Sequence, residues 1–401
     1  MFEKGLTATT ATSAIFPSSK SMASAEKLAP QTPYHSHIIN YRDYGSSFIL
    51  PVLKSVNYDN TTVPTIFPDV PVNVRVQLNI IHLSGFDSQQ MDYTVDAEME
   101  MRWFDIRLAN NYSRWIRIWE KSILEQIWKP DPYFVNSKHS YFHEVSFPNF
   151  RMYISPEGLI IYTLRITLQP TCQMIFCRFP HDRQECDLLI SSISFPQTSI
   201  RFSWHSSPVR FLNFITLPEL KIRTIVAATC QVENQLVNSS CLKLGFKLER
   251  DGARFIVEKY IPSTLAMMFA WIAPYVPYYY EEVRIITPIT VLLALVQMEK
   301  GEQEIRTSYL TSIDTWFGAM KVFSALSLIE SMSVKQSLKA KTEFEREVLI
   351  DEQKRLTRLY HRLDTFARFV TPFVFLIFFL YYVIYVAQAT EDTCVPNIEA
   401  N

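Results

Sequence analysis

A chain of 401 residues is long enough for two or three domains, and its 39 basic against 40 acidic side chains leave a formal net charge of −1. That balance excludes a function built on blanket attraction to nucleic acid or to anionic surfaces. Hydrophobic residues make up 48%, an ordinary globular share, but the long apolar runs crowd into the last third of the chain.

Residues 1–43 are rich in Ala, Ser, Thr, Lys and Pro without period and read as a disordered leader. The opening MFEKGLTATTATSAIF is too polar for a secretory signal core of about 7–15 apolar residues. Either the true start lies elsewhere or the first membrane helix directs insertion. Over residues 44–254 the segments VNVRVQLNII, YTVDAEMEMRWF, LIIYTLRITL and SIRFSW alternate apolar and polar side chains, as half-buried strands do. Turn residues separate them at short intervals, which predicts an antiparallel β-sandwich. Within it lie Trp103-x-Asp105-x-Arg107-Leu108 and the run IWKPDPYFVNSKHSYFHEV, where Trp128 reads as a core anchor. Sequons at Asn60, Asn111 and Asn238 are candidate glycosylation sites on a secreted face.

Further along, Cys172 and Cys186 enclose thirteen residues, QMIFCRFPHDRQE. As spacing alone, the pair is an ordinary disulfide or two buried thiols; a disulfide closing such a ring stabilises by roughly 3 kcal/mol. Pro180 fixes its own φ and pushes Phe179 to an extended shape, giving the loop a set tip. The six cysteines form no C-x-x-C pair or Cys/His cluster, so no metal is expected. His143 and His181 have no nucleophile at a diagnostic spacing, so the chain is not expected to be an enzyme.

Four apolar segments follow. Residues 255–277 are long enough to cross roughly 30 Å of hydrocarbon, with Glu258 and Lys259 near one end, within reach of the interface. Residues 284–305 and 314–334 are the second and third. Residues 335–368 are charged, with many i,i+4 pairs and an excess of Lys and Arg, which predicts a short cytoplasmic helix. Residues 369–388 form a nearly unbroken apolar run, leaving 389–401 as an extracellular tail. In the second segment Ile286, Thr290, Leu293, Gln297 and Glu304 follow steps of four, three, four and seven and so share one helical face. Pro288 interrupts its lower half, where it removes a backbone donor.

The Cys-x13-Cys ring with Phe-Pro-x-Asp inside it resembles the signature loop of the Cys-loop receptors, the pentameric ligand-gated ion channels. Tyr260-Ile261-Pro262-Ser263, Ile313-Asp314-x-Trp316 and the approach Leu363-Asp364, Arg368, Pro372 also match, and the extracellular motifs are similar to the glycine, GABA and glutamate-gated branch. The likeness covers about residues 45–388. It implies disulfides Cys172–Cys186 and Cys230–Cys241, which leaves Cys177 and Cys394 as free thiols. It implies a homo- or hetero-pentamer in the plasma membrane, at a postsynaptic site, with the sandwich outside and a small-molecule neurotransmitter between subunits. No cofactor is implied.

The same likeness assigns roles to residues. The face Ile286, Thr290, Leu293, Gln297 and Glu304 lines the pore, Leu293 forming a hydrophobic constriction. Where the branch's anion channels carry Pro-Ala-Arg-Val, this chain reads Glu281-Glu282-Val283-Arg284, and rings of Glu281 and Glu282 favour cations; Arg284 and the branch affinity favour chloride. Tyr133, Phe134, Ser192, Ile193 and Phe195 fall on the principal ligand face, and Thr163 and Arg165 on the complementary one. Glu98 and Glu100 stand where the branch has an aromatic and an Arg, an arrangement expected to repel an amino-acid carboxylate. Ile193 replaces an aromatic, and QVENQLVNSS between Cys230 and Cys241 has none. These losses open a second reading, a structural or modulatory subunit without its own principal site. Gating passes through Phe179, Pro180, Asp182 and Arg250 to the linker 303–309, so charge reversal at Asp182 is expected to block gating and leave assembly intact.

Overall fold

The computed structural model describes residues 43–67, 69–212, 217, 219–231, 238–277, 280–300, 307–344 and 350–387. The leader up to residue 42 and the tail from 389 lie outside the described residues.

Eleven strands follow the alternating segments: β1 (Val72–Asp87), β2 (Asp92–Phe104), β3 (Ile116–Ile118), β4 (Pro132–Phe134), β5 (Ser137–Phe142), β6 (Phe150–Ile154), β7 (Leu159–Pro170), β8 (Arg183–Ser192), β9 (Ile200–Phe211), β10 (Leu220–Cys230) and β11 (Cys241–Arg250). One sheet runs β3-β6-β7-β2-β1-β9 with β5 also on β7; the other runs β10-β11-β8-β4. The pairs are antiparallel with one departure from expectation: β9 lies parallel to β1. A parallel pair needs a long crossover rather than a hairpin, and the seven intervening strands supply it.

The period-2 pattern of β2 explains its place. Met99, Met101 and Trp103 point into the sandwich and are buried, whereas Glu98, Glu100 and Arg102 face outward. Trp103 meets Trp128 edge to face at 6.0 Å. Beneath them the fully buried Asp105 pairs with Arg107 at 2.8 Å and accepts the Tyr58 hydroxyl at 2.8 Å. Burial, and then the Asp105 charge, hold the Tyr58 phenol well above its ordinary pKa, so it stays a donor. Gly158 adopts φ +88°, and a Cβ there would sit 2.5 Å from Asp105 O. The Trp103–Arg107 motif is therefore structural.

Two short helices, α1 (Ile49–Ser55) and α2 (Lys121–Leu124), cap the sandwich. After β11 come α3 (Ala253–Phe255), a π-helical stretch (Ile256–Tyr260) and α4 (Ile261–Ala270), then α5 (Glu281–Lys300), α6 (Ser312–Phe344), α7 (Ile350–Tyr381) and a π-helical end (Tyr382–Ala387). The first helix stops at Ala270, earlier than expected, because Pro274 and Pro277 beyond it cannot continue a helix. Both α6 and α7 extend well into the charged stretch predicted as a separate segment. Hydropathy marks where a helix meets lipid, not where its hydrogen bonding ends. Ala253–Tyr275 and Asp364–Ile384 are long and apolar enough to cross a membrane, with mean hydropathy 1.2 and 2.0.

Trp316 of α6 sits at the centre of the helical part, 1% exposed. Its indole N–H donates to Ser263 Oγ at 2.9 Å, and the rings of Tyr260 and Tyr382 lie 5.1 and 5.0 Å away.

Candidate functional site

The outward face of the larger sheet carries a groove of 320 Å3, lined by Glu98, Asn149, Phe150, Arg151, Thr163 and Arg165 among others. Strand register builds it. Glu98 lies opposite Arg165 and Glu100 opposite Thr163 across β2 and β7, while Arg151 lies opposite Thr163 across β6 and β7. Side chains two apart on a strand share a face, so these groups converge.

The charges settle differently from expectation. Glu98 is paired with Arg151 at 3.0 Å, and Glu100 with Arg102 at 2.5 Å. Neither carboxylate stands alone to repel an anion. Arg165 has its Nε buried with no hydrogen-bond partner. Taken together, Glu98, Arg151 and Arg165 leave the groove with one excess positive charge.

The principal-face residues lie elsewhere on the same sandwich. Tyr133 and Phe134 are half-buried on β4. Ser192 requires a correction as a ligand contact. It is fully buried, its hydroxyl donates to Asp131 Oδ1 at 2.7 Å, and it accepts the Phe195 N–H at 3.1 Å. Asp131 also accepts the Ser194 N–H at 2.7 Å. Ser192 therefore shapes the loop. Phe195 packs edge-on to Trp128 at 6.3 Å, and Ile193 projects outward, 69% exposed. Cys230 and Cys241 face each other across β10 and β11 and are bonded, with Cα atoms 5.0 Å apart. Residues 232–237 between them, Asn234 and Leu236 included, lie outside the described residues. A second open cavity, of 620 Å3, adjoins this bond, lined by Arg201, Thr229, Ser239 and Ser240 among others. The side chains of Asn60, Asn111 and Asn238 are all exposed.

On α5, Ile286, Thr290, Leu293 and Gln297 are exposed, while Arg284, Pro288, Val291 and Leu295 are buried against the other helices. The helix continues unbroken through Pro288, whose carbonyl accepts the Ser324 hydroxyl at 3.0 Å. Arg284 belongs to the inward face, a position the sequence reading missed. Its guanidinium grips Asp364 of α7 at 2.9 and 3.2 Å and Glu330 of α6 at 3.2 Å. Two carboxylates thus neutralise the one cation expected to favour chloride. Glu282 is exposed; the Glu281 side chain and Glu304 lie outside the described residues.

The Cys172–Cys186 ring sits between sandwich and helices, bonded with Cα atoms 5.0 Å apart. The Phe179–Pro180 peptide is cis. Asp182 is fully buried and accepts Arg250 Nε at 2.8 Å and Gln184 Nε2 at 2.6 Å. Arg250 also reaches Glu219 at 2.8 Å and lies over the Phe179 ring at 5.0 Å. Phe179 stacks edge-on against Phe255 at 5.1 Å. The Tyr309 hydroxyl accepts the Phe176 N–H at 2.9 Å, and the Ile313 N–H donates to Phe179 O at 3.2 Å. The loop therefore touches α3, the segment before α6 and α6 itself; residues 303–306 of the expected linker lie outside the described residues. Cys177 corrects an expectation, because it is disulfide-bonded rather than free.

His181 in this loop stacks on Tyr260 with ring centroids 5.9 Å apart. Burial lowers its pKa below the ordinary 6.5, only partly offset by neighbouring Asp182. The unfolded chain therefore binds the proton more readily, and stability falls as pH drops below about 6.5, levelling off below the depressed folded value. Thermal melts across pH 5–8 are expected to show this loss, and His181→Gln to flatten it; equal slopes in the two proteins refute the assignment.

Comparison with known proteins adds two findings. The family model for the neurotransmitter-gated ion-channel ligand binding domain matches residues 48–251. The Glycine receptor subunit beta-type 4 of Caenorhabditis elegans is 28% identical over 303 residues, which cover 75% of this chain and 64% of that relative's own length.

Proposed function

The chain belongs to the neurotransmitter-gated ion-channel family, and from that premise we propose that it is one subunit of a pentameric channel opened by a carboxylate-bearing amino-acid transmitter. The sandwich lies outside the cell, and four helices, ending with α4, α5, α6 and α7 in turn, cross the plasma membrane. The exposed face of α5 lines the path for ions. Arg165 carries the ligand reading, because it is a cation in a built groove with a buried donor left unpaired. An unpaired buried donor costs about 1–3 kcal/mol, which an incoming carboxylate relieves. Glycine, named in the relative from the worm, is the first ligand to try.

Arg165→Ala is expected to raise the half-maximal agonist concentration about 10- to 100-fold, the size of a lost charge-assisted hydrogen bond of about 1.5–3 kcal/mol. Arg165→Lys is expected to recover part of that. Concentration–response curves in voltage-clamped cells give the answer, and an unchanged curve for the Ala variant refutes the carboxylate reading.

Exposed Ile193 and committed Ser192 favour a second reading, a heteromer in which this chain supplies the complementary face and a pore helix while a neighbour supplies the aromatic cage. Expression alone distinguishes the two. Agonist current without any other subunit supports self-sufficiency; surface protein that conducts only after co-expression supports the heteromer.

A further inference from the structure

The outward face of β1, β2 and β9 gathers more arginine than it can pair. Val74 and Val76 are buried in the sandwich, so Arg75 between them points outward, directly opposite Arg102 of β2. Like charges facing each other across an antiparallel pair destabilise it. Glu100 answers one of them, accepting Arg102 Nε at 2.6 Å. Arg210 lies opposite Asn79 on the same outward face. Among the described residues neither Arg75 nor Arg210 has an ion-pair partner. The ladder between β1 and β9 breaks at this point: Val76 pairs with Trp204 and Leu78 with Val209, so residues 205–208 bulge out beside Gln77. The bulge brings His205 Nε2 to Arg102 Nη1 at 3.3 Å. Gln77 faces outward opposite Glu100, is 1% exposed, and has both atoms of its amide buried without a hydrogen-bond partner. Three guanidiniums around one carboxylate leave two positive charges uncompensated beside an unused amide donor.

The geometry points to a second binding site, formed by Arg75, Gln77, Arg102, His205 and Arg210, for a small doubly charged oxyanion such as sulfate or phosphate. The anion sits between Arg75 and Arg102 and turns their repulsion into a shared attraction, and planar guanidiniums suit its oxygens. Gln77 supplies the donor that has no acceptor in the protein. His205 tunes the site. Burial holds its pKa below the ordinary 6.5, and the charge of Arg102 adds to that, with Arg210 and Arg75 behind it; Glu100 opposes them. A bound dianion reverses the field at the ring, so His205 takes a proton more readily when the site is full, and by linkage the site fills more readily as pH falls. The site shares no residue with the groove at Arg165, and it stands whatever the transmitter or the permeant ion is.

Thermal melts of the full-length protein in detergent test it, with sodium sulfate set against sodium chloride at matched ionic strength. The expected rise with sulfate saturates; inorganic phosphate at pH 8 reproduces it and chloride does not. Arg75→Gln is expected to raise the half-saturating sulfate about 10-fold or more, the size of a lost charge-assisted hydrogen bond. Because it relieves the facing charges, the same variant melts no lower than the wild type in chloride. Arg165→Ala keeps the sulfate response. Between pH 8 and pH 5 sulfate holds its double charge, and the half-saturating concentration, taken from the difference between sulfate and chloride at each pH, falls several-fold; His205→Gln removes that fall. A rise that is linear in sulfate and equal in Arg75→Gln is salting-out alone and overturns the inference. A response lost in Arg165→Ala places the anion in the groove and overturns it too, and a half-saturation unmoved by pH overturns the inclusion of His205.

Discussion

Cells expressing Asp182→Asn are expected to display roughly a tenth of the wild-type surface protein or less. Asp182 is fully buried, and the Arg250 side chain that grips it is only 8% exposed. Neutralising the carboxylate leaves the buried guanidinium with only the exposed Glu219 as counter-charge. Breaking a buried pair from one side costs about 3–5 kcal/mol, against a total stability of about 5–15 kcal/mol for a typical domain. Losses of even 1–2 kcal/mol change cellular abundance several-fold. Burial thus changes what the sequence led us to expect of this residue, because assembly fails before gating can be read. Adding Arg250→Gln to Asp182→Asn removes the stranded charge and is expected to recover part of the surface signal, an interaction that a double-mutant cycle measures. Surface biotinylation and melting in detergent report both effects; wild-type levels for the single variant refute the account. Gating itself is better probed at Glu219. It bonds the same arginine but is 55% exposed, so Glu219→Gln leaves assembly intact and shifts agonist sensitivity.

Glu282→Lys and Arg284→Gln are expected to have opposite kinds of effect, although the two residues lie two positions apart. Glu282 is exposed at the start of α5, and five copies would place a carboxylate ring at one mouth of the pore. Its reversal to Lys is expected to move the reversal potential from sodium-tracking to chloride-tracking. Arg284 is turned into the bundle and held by Asp364 and Glu330. Its loss strands two carboxylates, lowers surface expression by a mechanism like that at Asp182, and leaves the selectivity of the remaining current unchanged. Replacing sodium and chloride in turn under voltage clamp decides the matter. A wild-type reversal potential that tracks chloride rejects the cation reading, and a selectivity change in Arg284→Gln rejects the inward placement.

The strands were legible because period-2 alternation is a direct record of which side meets the core. The Cys172–Cys186 ring was legible because its proline and aspartate stand at fixed places inside it. Charge pairing was not legible. Glu98 and Glu100 read as unpaired acids, since Arg151 is some fifty residues away and only strand register brings it to Glu98. Arg284 read only as a charge favouring chloride, because its place in the motif does not say which face of the helix meets the bundle. Its partners on α6 and α7 decide that, and they are distant in sequence. Cys177 read as a spare thiol because spacing within one loop does not say which cysteines are bonded.

The 32 residues of α7 have a consequence of their own. At about 1.5 Å per residue the helix is about 48 Å long, against a hydrocarbon thickness of about 30 Å. If its apolar half crosses a membrane, the rest extends beyond the hydrocarbon as one continuous helix, a lever with one arm in lipid and one outside it. A tilt imposed by a thicker or thinner bilayer, or a push on its charged end, would be carried toward Tyr382, whose hydroxyl donates to Ser312 O. In the channel proposed above, the lipid composition of the membrane would then reach the signature loop through this helix, as an input separate from the ligand.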